Sequence, residues 1–177
     1  MKFLVLVFLF FSFTSYGQRP PYREFPVACD RGEMISNQGR VIYTFTFSPR
    51  CKDALEESKI TNGRFCDQEK LVRPNGIVAH VFNFRSNCRE ALEDLRRPAR
   101  GLFCDRGDLI NYYRGHIADM TFESRCRDAI QEVISYNGFF CREGVMMNYL
   151  GRLLRDYRTN SRCRDALPEI GREWPTF

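Results

Sequence analysis

Eight cysteines are the most chemically committed residues of this 177-residue chain, and their spacing is regular. They fall into pairs 22 positions apart: Cys29 and Cys51, Cys66 and Cys88, Cys104 and Cys126, Cys141 and Cys163. From the second cysteine of one pair to the first of the next the interval is 15, 16 and 15, so only the 22-residue interval is constant. An even number of thiols at fixed intervals points to disulfides formed in an oxidising compartment. The expected bonds close the constant interval, each contributing about 3 kcal/mol by restricting the unfolded chain. A rival scheme, Cys51–Cys66, Cys88–Cys104 and Cys126–Cys141, strands Cys29 and Cys163 unless the array closes on itself. Zinc fits poorly, because no Cys-x-x-Cys spacing and no matching histidine is present. No metal or other cofactor is expected.

The remaining candidates for chemistry are ionisable and aromatic. His80 and His116 are the only histidines, and either could serve as a general base. They stand at different positions relative to the preceding cysteine, and no serine of the strained-elbow type accompanies them. Four acid pairs, Asp53/Glu57, Glu90/Asp94, Asp128/Glu132 and Asp165/Glu169, are spaced four apart and so share one side of a helix. Two carboxylates supply too few oxygens for a calcium site. The expected partners are bases, including Lys52 for Glu56, Arg89 for Glu93, and arginines of a neighbouring hairpin.

Arg50, Arg125 and Arg162 precede the second cysteine of their pairs, and Lys52, Arg89, Arg127 and Arg164 follow it. Units stacked in register would align these bases into a ladder. Tyr112, Tyr113 and Tyr149 are expected at exposed hairpin tips beside it, which makes these ten residues the candidate ligand surface for an acidic or saccharide polymer. Arginine suits that role because its planar fork forms two-pronged bonds to carboxylate or phosphate.

These side chains are positioned by a repeated unit. Ser124-Arg125-Cys126-Arg127-Asp128-Ala129-Ile130 recurs closely at 161–167 and 86–92 and more loosely at 48–55, its cysteine advancing by 37, 38 and 37 residues. A period of that length marks an array of one supersecondary block. After the first cysteine come two adjacent apolar residues (Met34-Ile35, Leu71-Val72, Leu109-Ile110, Met146-Met147) and then a turn signal such as Asn37-Gln38-Gly39 or Pro74-Asn75-Gly76. The third unit has Arg114 in the glycine slot and Gly115 one later, which predicts a longer or bulged turn. An aromatic stripe of period two follows, Phe45 and Phe47, Phe82 and Phe84, Met120 and Phe122, and reads as a strand with one buried face.

Ser48, Ser86, Ser124 and Ser161 are placed to cap a helix. Its apolar face runs at +3, +4 and +7 from the second cysteine, as in Cys126, Ala129, Ile130 and Val133. Gly63, Gly101 and Gly138 end it. The fold class predicted is α+β: four tandem disulfide-stapled β-hairpin-helix (ββα) repeats at 29–65, 66–103, 104–140 and 141–177. The fourth is worn, with Pro168 inside its helix and Trp174 and Phe177 available to cover the open end.

Residues 1–17 read as a secretory signal peptide: Lys2, an apolar run from Phe3 to Phe13, then small Ser15 and Gly17 before a cleavage point. Residues 18–28 read as a proline-rich leader. No transmembrane segment is expected. The chain carries 27 Lys and Arg against 22 Asp and Glu, a net charge of +5, and its only lysines are Lys2, Lys52, Lys59 and Lys70. Nucleic acid is disfavoured by so mild an imbalance, and no glycine pattern for phosphate or dinucleotide binding occurs. The expected function is an exported, periplasmic or extracellular, non-enzymatic repeat module that binds or supports an extended partner, a polymer or protein surface. An exported hydrolase of envelope material using His80 or His116, and a secreted inhibitor or toxin, are the alternatives. Repetition favours the first, because catalysis needs one unique constellation.

Overall fold

In the computed structural model, residues 25–173 are described; the expected signal peptide, most of the expected leader, Trp174 and Phe177 lie outside them. Four units follow one another. The first comprises β1 (Pro26–Asp30), β2 (Glu33–Ser36), β3 (Val41–Thr44) and α1 (Ser48–Ile60). The second has β4 (Phe65–Asp67), β5 (Lys70–Val72), β6 (Val78–Val81) and α2 (Arg85–Arg96). The third has β7 (Leu102–Asp105), β8 (Asp108–Asn111), β9 (Gly115–Asp119) and α3 (Glu123–Ser135). The fourth has β10 (Phe139–Arg142), β11 (Val145–Asn148), β12 (Leu153–Asp156) and α4 (Asn160–Glu173). The tandem α+β array is therefore as the period predicts, and the disulfides are Cys29–Cys51, Cys66–Cys88, Cys104–Cys126 and Cys141–Cys163.

Each unit holds three strands rather than a hairpin, paired as an antiparallel meander. The turn missing from the sequence reading lies just after the first cysteine. Asp30 pairs with Glu33 across Arg31 and Gly32, whose φ angles are +49° and +86°. Two consecutive positive φ values make the tight turn whose twist matches that of the flanking strands. Arg106-Gly107 and Glu143-Gly144 repeat it. The first strand of the array starts at Pro26, so the last leader residues belong to the first sheet. The third unit's second turn is no longer than the others: the positive φ moves from the arginine slot to Gly115.

The two adjacent apolar residues of the middle strand now have a cause. Neighbours on a strand face opposite sides. Leu71 packs with Cys66, Phe82, Cys88 and Ala91 of its own unit, whereas Val72 joins Met34, Phe45, Cys51 and Ala54 of the unit before. Leu109 and Ile110 divide in the same way. The Phe-Cys step of the first strand behaves likewise: Phe65, Phe103 and Phe140 enter the preceding core, and Cys66, Cys104 and Cys141 enter their own. Sheets and helices therefore alternate in a stack, each of the first three helices lying between its own first strand and the next unit's. Ile35, with no unit before it, is only half-buried.

Two local expectations fail at the helix start. Phe47, Phe84 and Phe122 occupy the N-cap position in extended conformation, and no side chain caps these helices; the serines lie inside the first turn. The stripe of period two also breaks there. Phe45 and Phe82 are buried, but the strands end before them, and Phe47, Phe84 and Phe122 are 58%, 66% and 64% exposed. In the last helix the chain stays helical through Pro168 to Glu173, although proline withholds one backbone bond.

Phe103→Ala tests the stacking. The ring belongs to the third unit and is 1% exposed inside the second unit's core. Truncation should cost about 3–5 kcal/mol in urea unfolding. Hydrogen exchange should quicken first in β5 and β6, within the second unit, rather than in the strand that carries the substitution.

Candidate functional site

The bases following the second cysteine reach back one unit. Arg89 lies 3.7 Å from Glu57, Arg127 bonds Glu90, and Arg164 bonds Glu132 at 2.7 Å and lies 3.7 Å from Asp128. A ladder of arginines exists, and its rungs are the acid pairs of the preceding helix. The expected within-helix partners are displaced: Glu56 pairs with Lys59 and Glu93 with Arg96. The second acid of each pair does more. Glu57 accepts the Cys66 amide at 3.0 Å, Glu132 accepts the Cys141 amide at 2.8 Å, and Asp94 accepts that of Cys104. Burial raises the Asp94 carboxyl above the usual range, opposed by the charges of Arg97 and Arg127 and by that amide. These amides sit on the edge strand of each sheet, where an unpaired donor needs a partner.

The other candidate residues separate. Arg50 lies 3.7 Å from Asp67 and over the Phe47 ring at 5.6 Å. Arg125 lines a cleft between the third and fourth units. Lys52 and Arg162 are exposed. Of the three tyrosines, Tyr113 is exposed as expected, but Tyr112 is buried at 6% exposure beneath the guanidiniums of Arg64 and Arg73. Desolvation pushes its phenol up to about 12 against the lowering charges of those two arginines. Tyr149, at the equivalent position one unit on, is half-buried under Arg100.

Both histidines line one cleft of about 490 Å³ with Tyr112, Tyr113 and Arg114. His80 Nε2 meets the buried Asp105 carboxylate at 2.9 Å. One unit earlier the Tyr43 hydroxyl donates to Asp67 at the same distance. The His80 contact thus belongs to a repeated junction between units. His116 Nε2 meets Asp119 at 2.9 Å and Asp108 at 3.9 Å. Asp108 and Asp119 face each other across the strands. The His116 bond holds Asp119 low, while burial and then the bond and charge of Asp119 raise Asp108. Among the described residues this is the one trio of possible metal-ligating groups, and all three are exposed or half-exposed.

Sequence reasoning missed an exposed aromatic position that recurs from unit to unit. Phe47, Phe84 and Phe122 stand at one position of three successive units. Glu57–Cys66, Asp94–Cys104 and Glu132–Cys141 join the units in the same way, so equivalent residues fall in a row. Val41, Val78 and Leu153 make a second exposed apolar position at the start of the third strand. Phenylalanine is a poor N-cap, and a large ring in water gains nothing from burial. Breaking both rules three times at one position is the mark of a used surface.

The molecule is a tandem-repeat protein of four disulfide-stapled βββα units. Comparison with known protein families, characterised proteins and solved structures finds no match to the chain. Among the described residues no free cysteine occurs and no helix is long and apolar enough to cross a membrane. Four disulfides place the chain in an oxidising, exported environment.

Glu132 and Glu90 separate junction bonding from surface pairing. Glu132 is 12% exposed and serves both an amide and Arg164, whereas Glu90 is 57% exposed. Glu132→Ala should cost about 2–3 kcal/mol by leaving a buried donor unpaired, and the Cys141 amide should lose exchange protection. Glu90→Ala should cost less than about 1 kcal/mol.

Proposed function

We propose that this protein is an exported, non-enzymatic binding module that lies along an extended polymer, with a saccharide chain as the occupant. The observation that carries the reading is the row of Phe47, Phe84 and Phe122, each more than half exposed and spaced by one structural unit. The faces of sugar rings present C–H groups that stack on aromatic rings, and aromatic side chains supply large contact area at low entropic cost. A surface repeated along a stack suits a partner that is itself repeated, and linked contacts add through effective concentration. Arg125, which lines one cleft with Phe122, supplies a cation for acidic substituents. The ladder residues Arg89, Arg127 and Arg164 are occupied by acids of the neighbouring helix, which shifts the binding surface from the expected ladder to the ring row. The hydrolase alternative would need His80 or His116 to act on water, since no serine, threonine or cysteine lines their cleft.

The test is binding of the oxidised protein to immobilised neutral glucan, uronic-acid polymer and sulfated polysaccharide. Single Phe→Ala variants should each weaken binding about tenfold, roughly 1.4 kcal/mol, and the triple variant should not bind. Melting temperatures should stay close to wild type, because the rings are exposed. A triple variant that binds every polymer as tightly as wild type, or a wild type that binds a protein partner and no glycan, overturns the reading.

A further inference from the structure

The first two junctions between units share a polar contact that the third lacks. The residue after the first cysteine is Asp67 in the second unit and Asp105 in the third. Asp67 accepts from the Tyr43 hydroxyl at 2.9 Å and lies 3.7 Å from Arg50. Asp105 meets His80 at 2.9 Å and accepts from Asn87 at 3.5 Å. At the third junction Arg142 replaces the acid, Ala118 stands where Tyr43 and His80 stand, and Arg125 stands where Arg50 and Asn87 stand. A carboxylate with its donors has become two guanidiniums and a methyl group.

The exchange leaves both space and unmet donors. A cleft of about 150 Å³ opens there, lined by Phe122, Arg125, Arg142 and Arg164 among others. Arg142 Nε is buried and has no hydrogen-bond partner. Among the described residues neither Arg125 nor Arg142 forms an ion pair. Arg164 is held by Glu132 at 2.7 Å. Two acids also line the cleft: Glu143 is exposed, and Asp119, though near enough for the Arg142 charge to help hold its carboxyl low, is bonded to His116 at 2.9 Å and leaves the Arg142 Nε without a partner. Like charges side by side next to a buried unpaired donor call for an anion.

We propose that this cleft binds an oxyanion group, phosphate, sulfate or carboxylate, whose oxygens take the place that the Asp67 and Asp105 carboxylates fill at the other two junctions. Arginine presents paired N–H donors in a planar fork that matches such groups. The space accommodates one anion with a few waters, given the roughly 30 Å³ that a water takes in the liquid. Phe122 lines the same cleft, so an anion borne by a ring-stacked ligand and a free ion both reach it. The site nevertheless stands independently of what the ring row binds.

The experiment titrates the oxidised full chain with sodium phosphate, sulfate and acetate at ionic strength held constant with sodium chloride. The readouts are the arginine Nε–H resonances and the melting temperature. Wild type should show a saturable shift of the Arg142 Nε–H and a rise in melting temperature, and Arg142→Gln should bind about tenfold more weakly. Phosphate and sulfate outcompeting acetate assigns the site to tetrahedral anions, and the reverse order to carboxylates. The double variant Ala118→His/Arg142→Asp rebuilds the second junction's contact; it should fold at least as stably as wild type and respond to none of the anions. Phe122→Ala should leave phosphate affinity within about twofold, which keeps this outcome separate from that of the ring row. No saturable response in wild type, or equal affinity in Arg142→Gln, overturns the proposal.

Discussion

A three-stranded sheet built from strands of three to five residues has two faces, and in the second, third and fourth units both are covered by helices along the first two strands. One face takes the unit's own helix and the other takes the helix of the unit before. A block of about 37 residues cannot bury enough apolar surface by itself. Here each of the first three cores is completed by a phenylalanine lent by the next unit, Phe65, Phe103 or Phe140, all at most 1% exposed. Stability in such a stack is a sum of unit terms and nearest-neighbour terms. The disulfide fixes the unit term by joining the first strand to the first turn of the helix, the two elements that must stay together for the neighbour to dock.

Polar contacts set how the units meet. The first strand is an edge, and an edge strand invites wrong partners. A carboxylate from the preceding helix covers its cysteine amide, and an arginine from the following helix covers the carboxylate. The chain of donor, acceptor and counter-ion can be completed in one register only, whereas apolar packing alone tolerates sliding. Exposed charge pairs add little energy, so the half-buried acid that holds the amide contributes more than the ladder seen on the surface.

Much of this is legible in the sequence alone. Constant cysteine spacing gave the bonds, and apolar residues at +3, +4 and +7 gave the helix, because both signals are local and strong. Three features were hidden for separate physical reasons. The Arg31-Gly32 turn lacks the Asn-Gly signature, so two strands read as one. The serines obeyed capping preference, yet the cysteine's bond to the first strand fixes where the helix begins and puts phenylalanine at the cap. Alternation from Phe45 to Phe47 looked like a strand, but the chain has left the sheet at Thr44, and period two means nothing beyond it. The position of Tyr112 in a turn suggests exposure, whereas Arg64, just before β4, and Arg73 of the second unit close over it.

Four copies of one unit separate structural from functional residues in a way a single sequence position cannot. Where all junctions agree, as with the acid that holds each cysteine amide, assembly explains the residue. Tyr43 and His80 differ in type but make one contact to one acid, so chemistry particular to histidine is not needed there. Phe47, Phe84 and Phe122 agree with one another without serving any core, and assembly leaves them unexplained. Arg142 is the converse case: it departs from Asp67 and Asp105, and its junction supplies no substitute partner for the buried Nε. Agreement without packing and departure without compensation both point outside the chain, and both occur on the cleft that Phe122 and Arg142 line together.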